Sequence, residues 1–279
     1  MDRALAAAMR SNLALFLLAI AGSILSLRGL GGETKFLPEG AAPGAAFGSA
    51  MAMRDGWLVV LPGNTAVVSG HRKLRIYGHD GVRWQLRQQI LNRGGSALAL
   101  QGDVLLSSAP GDGQAGNAAG AVYQFLRTAT GWVEAAKLLP PGKATGARFG
   151  TSVALWGDAL VAGAPFHSQG PGEVQSAGAA FLFRWHEGAW GVEAVLFASD
   201  APNPLALNFA RSVALGPDTL WAGAPQDDEA GLNTGAVYRF TPPWPTYPDS
   251  DNGSGPPPQA GGPPPHAGRG RLSQADSRP

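Results

Sequence analysis

Short apolar runs alternate with turn residues through the middle of this chain. Nowhere between residues 33 and 241 does a 3.6-residue apolar period persist. Val153-Ala154-Leu155, Ala159-Leu160-Val161, Ala179-Ala180-Phe181-Leu182-Phe183 and Val192-Glu193-Ala194-Val195-Leu196 are each of strand length. Gly-Asp, Gly-Ala-Pro and glycine-rich turns separate them. The pattern predicts an all-β domain over residues 33–241. The flanks differ from it. Arg3 and Arg10 precede an apolar run from Leu13 to Leu27. That is shorter than the roughly 20 residues a membrane span takes, and it suits the core of a signal peptide. Extended to Leu30, with Arg28 inside it, the run also reads as a retained signal-anchor. Residues 1–30 are therefore a signal peptide or signal-anchor, with helix expected over 4–28. Residues 242–279 are dominated by proline and glycine, and are expected to form a disordered, polyproline-like tail.

The β region repeats itself. Gly-Ala-(Val/Ala)-(Tyr/Phe) begins at Gly120, Gly178 and Gly235, and (Gly/Ser)-Ala-Pro ends at Pro110, Pro165 and Pro225. Asp103, Asp158 and Asp218 precede the second strand of each unit, where an Asp side chain is expected to bond its own turn. A Phe-small pair opens units at Phe47-Gly48, Phe149-Gly150 and Phe209-Ala210. The units fall near 41–91, 94–139, 140–197 and 198–241. Each holds about four strands, too few to bury both faces, so the units must stack radially. Phe181/Phe183 and Tyr238/Phe240 are alternate residues and so share a sheet face.

These motifs resemble FG-GAP repeats, the units of integrin-alpha-type β-propellers and of many bacterial secreted proteins. The third unit matches best, through Phe149-Gly150-Thr151-Ser152-Val153-Ala154-Leu155, Gly157-Asp158, Val161-Ala162-Gly163-Ala164-Pro165 and Gly178-Ala179-Ala180-Phe181. The first is degenerate, with Val60-Leu61-Pro62 in place of Gly-Ala-Pro. The second shows Gly94-Gly95 instead of Phe-Gly. The resemblance implies an all-β propeller, with seven blades in integrin-type heads; the unit spacings here predict about four blades and some 16 strands in antiparallel sheets. One further match bears on closure. Thr34-Lys35-Phe36-Leu37-Pro38 stands as far before Phe47 as Ala136-Lys137-Leu138-Leu139-Pro140 stands before Phe149, while the last unit stops at Phe240. Residues 34–38 are thus expected to pair beside 235–240, closing the ring with Phe36 packed in the last blade. The alternative is an open arc completed by another copy.

Composition then removes function classes. Lys plus Arg number 21 and Asp plus Glu 20, so no basic surface marks a nucleic-acid binder. There is no cysteine, hence no disulfide or thiolate site. The resemblance implies that an acidic loop after Gly-Ala-Pro can hold Ca²⁺. Of the loops 111–117, 166–170 and 226–233, only the last has three acids. Asp227, Asp228, Glu229 and Asn233 are the candidates for a weak site, without the full Asp-x-Asp-x-Asp-Gly spacing. No other cofactor is expected. Gly111-x-Gly113-x-x-Gly116 matches the dinucleotide fingerprint but links strand to strand, not strand to helix. The five histidines, at 71, 79, 167, 186 and 266, read as surface residues, and His71-Arg72-Lys73 as a solvated loop. Trp156 and Trp221 are the tryptophans least tied to blade packing. Val153, Leu155, Val213 and Leu215, on the expected inner strands, are apolar and count against a channel hydrolase. The reading is a non-enzymatic, extracytoplasmic module of adhesion type that binds a protein or glycan. A cell-envelope scaffold, held in a membrane by residues 13–30 if they are not cleaved, is the second reading. A homo-oligomer is expected if the ring is open.

Overall fold

The computed structural model describes residues 27–28, 34–37, 46–62, 73–91, 95–142, 144–168, 177–199 and 208–244. Four antiparallel meanders follow one another along the chain. Blade 1 is β3 (Phe47–Arg54), β4 (Trp57–Pro62), β5 (Lys73–His79) and β6 (Trp84–Leu91). Blade 2 is β7 (Leu98–Gln101), β8 (Val104–Ala109), β9 (Ala121–Thr128) and β10 (Gly131–Leu138). Blade 3 is β11 (Ser152–Trp156), β12 (Ala159–Ala164), β13 (Ala179–His186) and β14 (Ala189–Leu196). Blade 4 has three strands, β15 (Ser212–Leu215), β16 (Leu220–Ala224) and β17 (Ala236–Phe240). A two-residue pair, β1 (Leu27–Arg28) with β2 (Thr34–Lys35), precedes them. The blades form a β-propeller, with the first strand of each packed on the first strand of the next: β3 on β7, β7 on β11, β11 on β15.

Local sequence accounts for the hairpins. Gly157-Asp158 forms the tip between β11 and β12, with Gly157 at φ +61. A left-handed residue is what a two-residue hairpin requires. The core lies between blades. Val59, Leu61, Leu74 and Ile76 of blade 1 meet Leu105, Tyr123 and Trp132 of blade 2. Leu106, Val122 and Leu138 of blade 2 meet Leu160, Phe181 and Phe183 of blade 3. Val161, Leu182 and Leu196 of blade 3 meet Leu220, Ala222 and Ala224 of blade 4. Strands β8 and β12 are therefore buried along their whole length, while β16 alternates because only one of its faces is covered. The two aromatic pairs behave as expected. Phe149 meets Phe181 and Phe183 edge to face, and Phe209 meets Tyr238 and Phe240 likewise.

Four expectations need correction. First, residues 34–35 pair with 27–28, and Phe36 lies edge-on to Tyr77 in blade 1, so the segment does not serve as the outer strand of blade 4. Leu27–Arg28 is accordingly strand and not the end of a helix; the remainder of 4–28 lies outside the described residues, as does the tail beyond 244. Second, the β3–β4 tip is Asp55-Gly56, and Arg54 pairs with Trp57. In blade 3, Trp156 pairs with Ala159. This register places Leu61 where blade 3 has Gly163, one residue off the Val60-Leu61-Pro62 alignment. Third, Asp103 and Asp158 do not bond their own turns. Asp103 accepts from Arg127 Nε at 2.6 Å and Asp158 from Arg184 Nη1 at 2.7 Å, each Arg lying on the third strand of the same blade. Fourth, His167 is no surface residue. It is wedged against Phe181 and Phe197, and burial lowers its pKa. Of the basic triplet, Lys73 begins β5, while His71 and Arg72 lie outside the described residues.

Candidate functional site

Blades 2 and 3, and blades 3 and 4, are joined through the Phe-small turn that opens the later blade. Phe149 N–H donates to Ala119 O at 2.8 Å and Arg148 N–H to Ala118 O at 3.1 Å, with a parallel bridge between Gly120 and Phe149. One junction on, Phe209 N–H donates to Ala177 O at 3.2 Å, and Gly178 and Phe209 form the equivalent bridge. Ser152 Oγ adds a bond to Ala210 O at 2.9 Å. Apart from the Ser152 hydroxyl, these contacts run backbone to backbone, which is why Gly120 and Gly178 stand opposite the turns.

The same turns wall a cleft of about 550 Å³, lined by Ser96, Pro110, Ala118, Arg148, Thr151 and Arg211 among others. Arg148 is positioned by its backbone bond to Ala118 and by stacking of its guanidinium 4.9 Å over the Phe166 ring. Thr151 Oγ1 donates to Arg148 O at 2.7 Å. Arg211 is held through its N–H to Gly223 O at 3.2 Å. Both arginine side chains are exposed, and neither has an acidic partner among the described residues. Two uncompensated guanidiniums beside two hydroxyls suit a carboxylate or sulfate. Sequence reasoning missed both. The available signal was position: Arg148 immediately precedes Phe149, and Arg211 follows Phe209-Ala210.

The loops that follow the (Gly/Ser)-Ala-Pro motifs form a second set of locks. Asp112, His167 and Asp227 occupy equivalent places. Their N–H groups donate to Ala109, Ala164 and Ala224, and their carbonyls accept from Gly120, Gly178 and Gly235. Asp112 accepts from Tyr123 O–H at 2.8 Å, and from Lys137 Nζ at 2.9 and 2.8 Å. Asp227, 2% exposed, accepts from Tyr238 O–H at 2.7 Å and from Glu229 N–H at 3.0 Å. In blade 3 the pair becomes His167 and Phe181: with no hydroxyl to receive, the acid is replaced by a ring that packs. Asp228 accepts from Asn233 N–H, while Glu229 and Asn233 are exposed. Among the described residues no three His, Asp or Glu side chains gather as a metal site. Trp156 and Trp221 are 48% and 42% exposed, so both stand apart from the blade core as the sequence suggests. Val153, Leu155, Val213 and Leu215 do lie on inner strands, half-buried.

The locks make stability depend on pH with a definite sign. Partial burial pushes the Asp112 carboxyl up. Hydrogen bonds from Lys137, the Gln114 amide and Tyr123 outweigh it and leave the group below its ordinary 3.8. That contribution is present above the unfolded value and lost as pH falls through the lower folded one. His167, held neutral by burial below its ordinary 6.5, works in the same direction higher up: the unfolded chain binds the proton first. Urea midpoints are expected to fall in two windows on acidification, one below pH 6.5 and one below 3.8. His167→Gln should remove the upper window and Asp112→Asn should shrink the lower. A profile unchanged by either substitution would show that these groups do not couple to folding.

Comparison with known proteins bears on this architecture. A family model described as FG-GAP repeat matches residues 132–183 and 190–240. No curated protein matches the sequence. Among solved structures the chain is similar to the crystal structure of the N-terminal domain of Nup159, at 11% identity and a TM-score of 0.40, over 68% of this chain and 44% of that one. The chain thus spans less than half of that structure. The two family matches run from β10 through β13 and from β14 through β17, so the sequence unit starts on the outer strand of one blade and ends on the third strand of the next. The blades, the Phe-small junctions and these two consecutive matches agree: residues 132–240 of this chain are FG-GAP repeats.

Proposed function

We propose that this protein is a non-enzymatic, extracytoplasmic binding module whose protein or glycan ligand presents an acidic group to the cleft at Arg148 and Arg211. The observation that carries the reading is the pair of exposed guanidiniums without acidic partners, set on the rigid backbone junctions between blades 2, 3 and 4. Long-range attraction and bidentate geometry both favour a carboxylate or sulfate there. The inner strands offer apolar Val153, Leu155, Val213 and Leu215 in place of a nucleophile with its base, which supports binding over turnover. The Arg-flanked run at 13–27 supports the extracytoplasmic placement, either released or held at a membrane as a scaffold.

The test uses alginate, a carboxylated polysaccharide, and an aspartate-containing peptide as immobilised probes, with dextran as the neutral control. Retention on at least one acidic probe should weaken with salt and be lost in Arg148→Gln/Arg211→Gln, with melting temperature unchanged. Retention that survives the double substitution would overturn the assignment of the cleft. Fractionation of cells carrying the full-length chain should place it outside the cytoplasm.

A further inference from the structure

The two ends of the arc carry unmated halves of the junction that joins its interior blades. A β-carbon on Gly120 would lie 2.2 Å from Phe149 O, and one on Gly178 would lie 2.3 Å from Phe209 O, so both slots are filled by the next blade. Gly235 holds the same place in blade 4, where the atoms nearest a β-carbon belong to its own blade, Pro225 at 3.3 Å and Ala224 O at 3.4 Å. On the opposite side of the junction, a β-carbon on Gly150 would meet blade 2 at Ala121 O, 2.9 Å away. At Gly48, the equivalent in blade 1, nothing described lies within 4 Å. The faces agree with the slots. Val161 and Ala180, covered by blade 4, are fully buried, whereas their equivalents Trp221 and Val237 are 42% and 69% exposed.

A third mismatch is electrostatic. In blade 2 the lock acid Asp112 receives Lys137 from the outer strand β10. In blade 4 the equivalent Asp227 is 2% exposed, and its carboxylate meets only the Tyr238 hydroxyl and the Glu229 amide, with no cation among the described residues. Among the described residues blade 4 has no fourth strand to bring one. Lys35 stands in the sequence where Lys137 does, at the same distance before its Phe-Gly pair, and is exposed. Yet its own chain holds it away from this acid, with 34–35 paired to 27–28 and Phe36 on Tyr77 of blade 1.

We propose that a second copy of this chain completes blade 4. Its residues 34–37 add as the fourth strand, Lys35 meets Asp227, and its Phe47-Gly48 turn enters the slot at Gly235. The spacing from Lys35 to Phe47 is the one that lets Lys137 serve blade 2 while Phe149 opens blade 3, so one docking event satisfies both contacts. Two copies placed head to tail about a two-fold axis use both ends of each and leave no open edge. The result is a ring of eight blades, within the range propellers adopt.

The absence of cysteine makes cross-linking a clean test. In blade 2, Leu138 is the Cα partner of Val122. The equivalent pair is Phe36 of one copy and Val237 of the other. Full-length chains carrying Phe36→Cys and Val237→Cys separately are mixed, refolded together and oxidised. The expected product is a disulfide-linked heterodimer. With both substitutions in one chain, the expected product is again a covalent dimer. A monomer with an internal disulfide would show that the chain closes on itself and would overturn the proposal, as would the absence of any cross-link. Light scattering should report a dimer for the unmodified protein. Lys35→Glu should weaken dimerisation by about thirtyfold or more, and Lys35→Glu/Asp227→Lys should restore it. Lys35 is exposed, so an unchanged β-type circular dichroism spectrum separates a lost dimer from a lost fold. A dimer indifferent to both changes would sink the Lys35–Asp227 contact.

Discussion

Gly120→Ala is expected to unfasten blade 2 from blade 3 and to cost about 2–5 kcal/mol. Two effects add. Gly120 stands at φ +94, a conformation that costs an L-residue roughly 1–2 kcal/mol. The new β-carbon would also fall 2.2 Å from Phe149 O and 2.5 Å from Phe149 N, both backbone atoms that cannot swing aside. Overpacking of that kind costs about 1–3 kcal/mol. Gly157→Ala separates the two contributions. Gly157 is also left-handed, at φ +61, but nothing lies within 4 Å of its β-carbon position. It should lose only the conformational part. Urea denaturation of both variants reads the difference directly. Equal losses would mean that the junction yields and that the close approach contributes nothing to stability.

Phe149→Ala should destabilise the domain by about 3–5 kcal/mol, the range for removing a fully buried aromatic. Phe149 is 0% exposed and lies in the core between blades 2 and 3. It meets Phe181 at 5.4 Å and Phe183 at 5.9 Å, both edge to face. Its surroundings cannot collapse easily, because its own N–H is tied to Ala119 and its turn is seated on Gly120. Phe149→Leu keeps most of the volume and loses the ring contacts, so it should fall between. Loss of two-state behaviour in the alanine variant, with one half of the arc melting first, would identify the blade 2–3 interface as the weakest cooperative link. A loss below about 1 kcal/mol would contradict the packing described here.

The parts of the fold that could be read from the residues are those written in local, repeated signals. Four units, the Phe-small turns at Phe149 and Phe209, and the shared faces of Phe181/Phe183 and Tyr238/Phe240 depend on alternation and on turns only a few residues long. The misplaced details have different causes. The Leu61 position shifted because a hairpin tip of Asp55-Gly56, in place of Gly157-Asp158, moves the register that a motif alignment assumes. Asp103 and Asp158 found Arg127 and Arg184 because a meander brings its third strand beside the first hairpin, more than 20 residues on. His167 is half-buried against Phe181 and Phe197, from parts of the blade no local pattern links to it.

By itself the sequence determined the fold class, the number of blades and the Phe-small turns at Phe149 and Phe209, since strand alternation and hairpin turns are decided over a few residues at a time. Only the tertiary structure decided what meets across blades. It set Arg148 and Arg211 on one cleft from different blades, gave Lys137 to Asp112, and left Asp227 without a cation among the described residues. It also placed Phe36 on Tyr77 and not beside β17. These are contacts between segments separated by many residues, and their energies depend on how sheets stack, not on the order of residues within a strand.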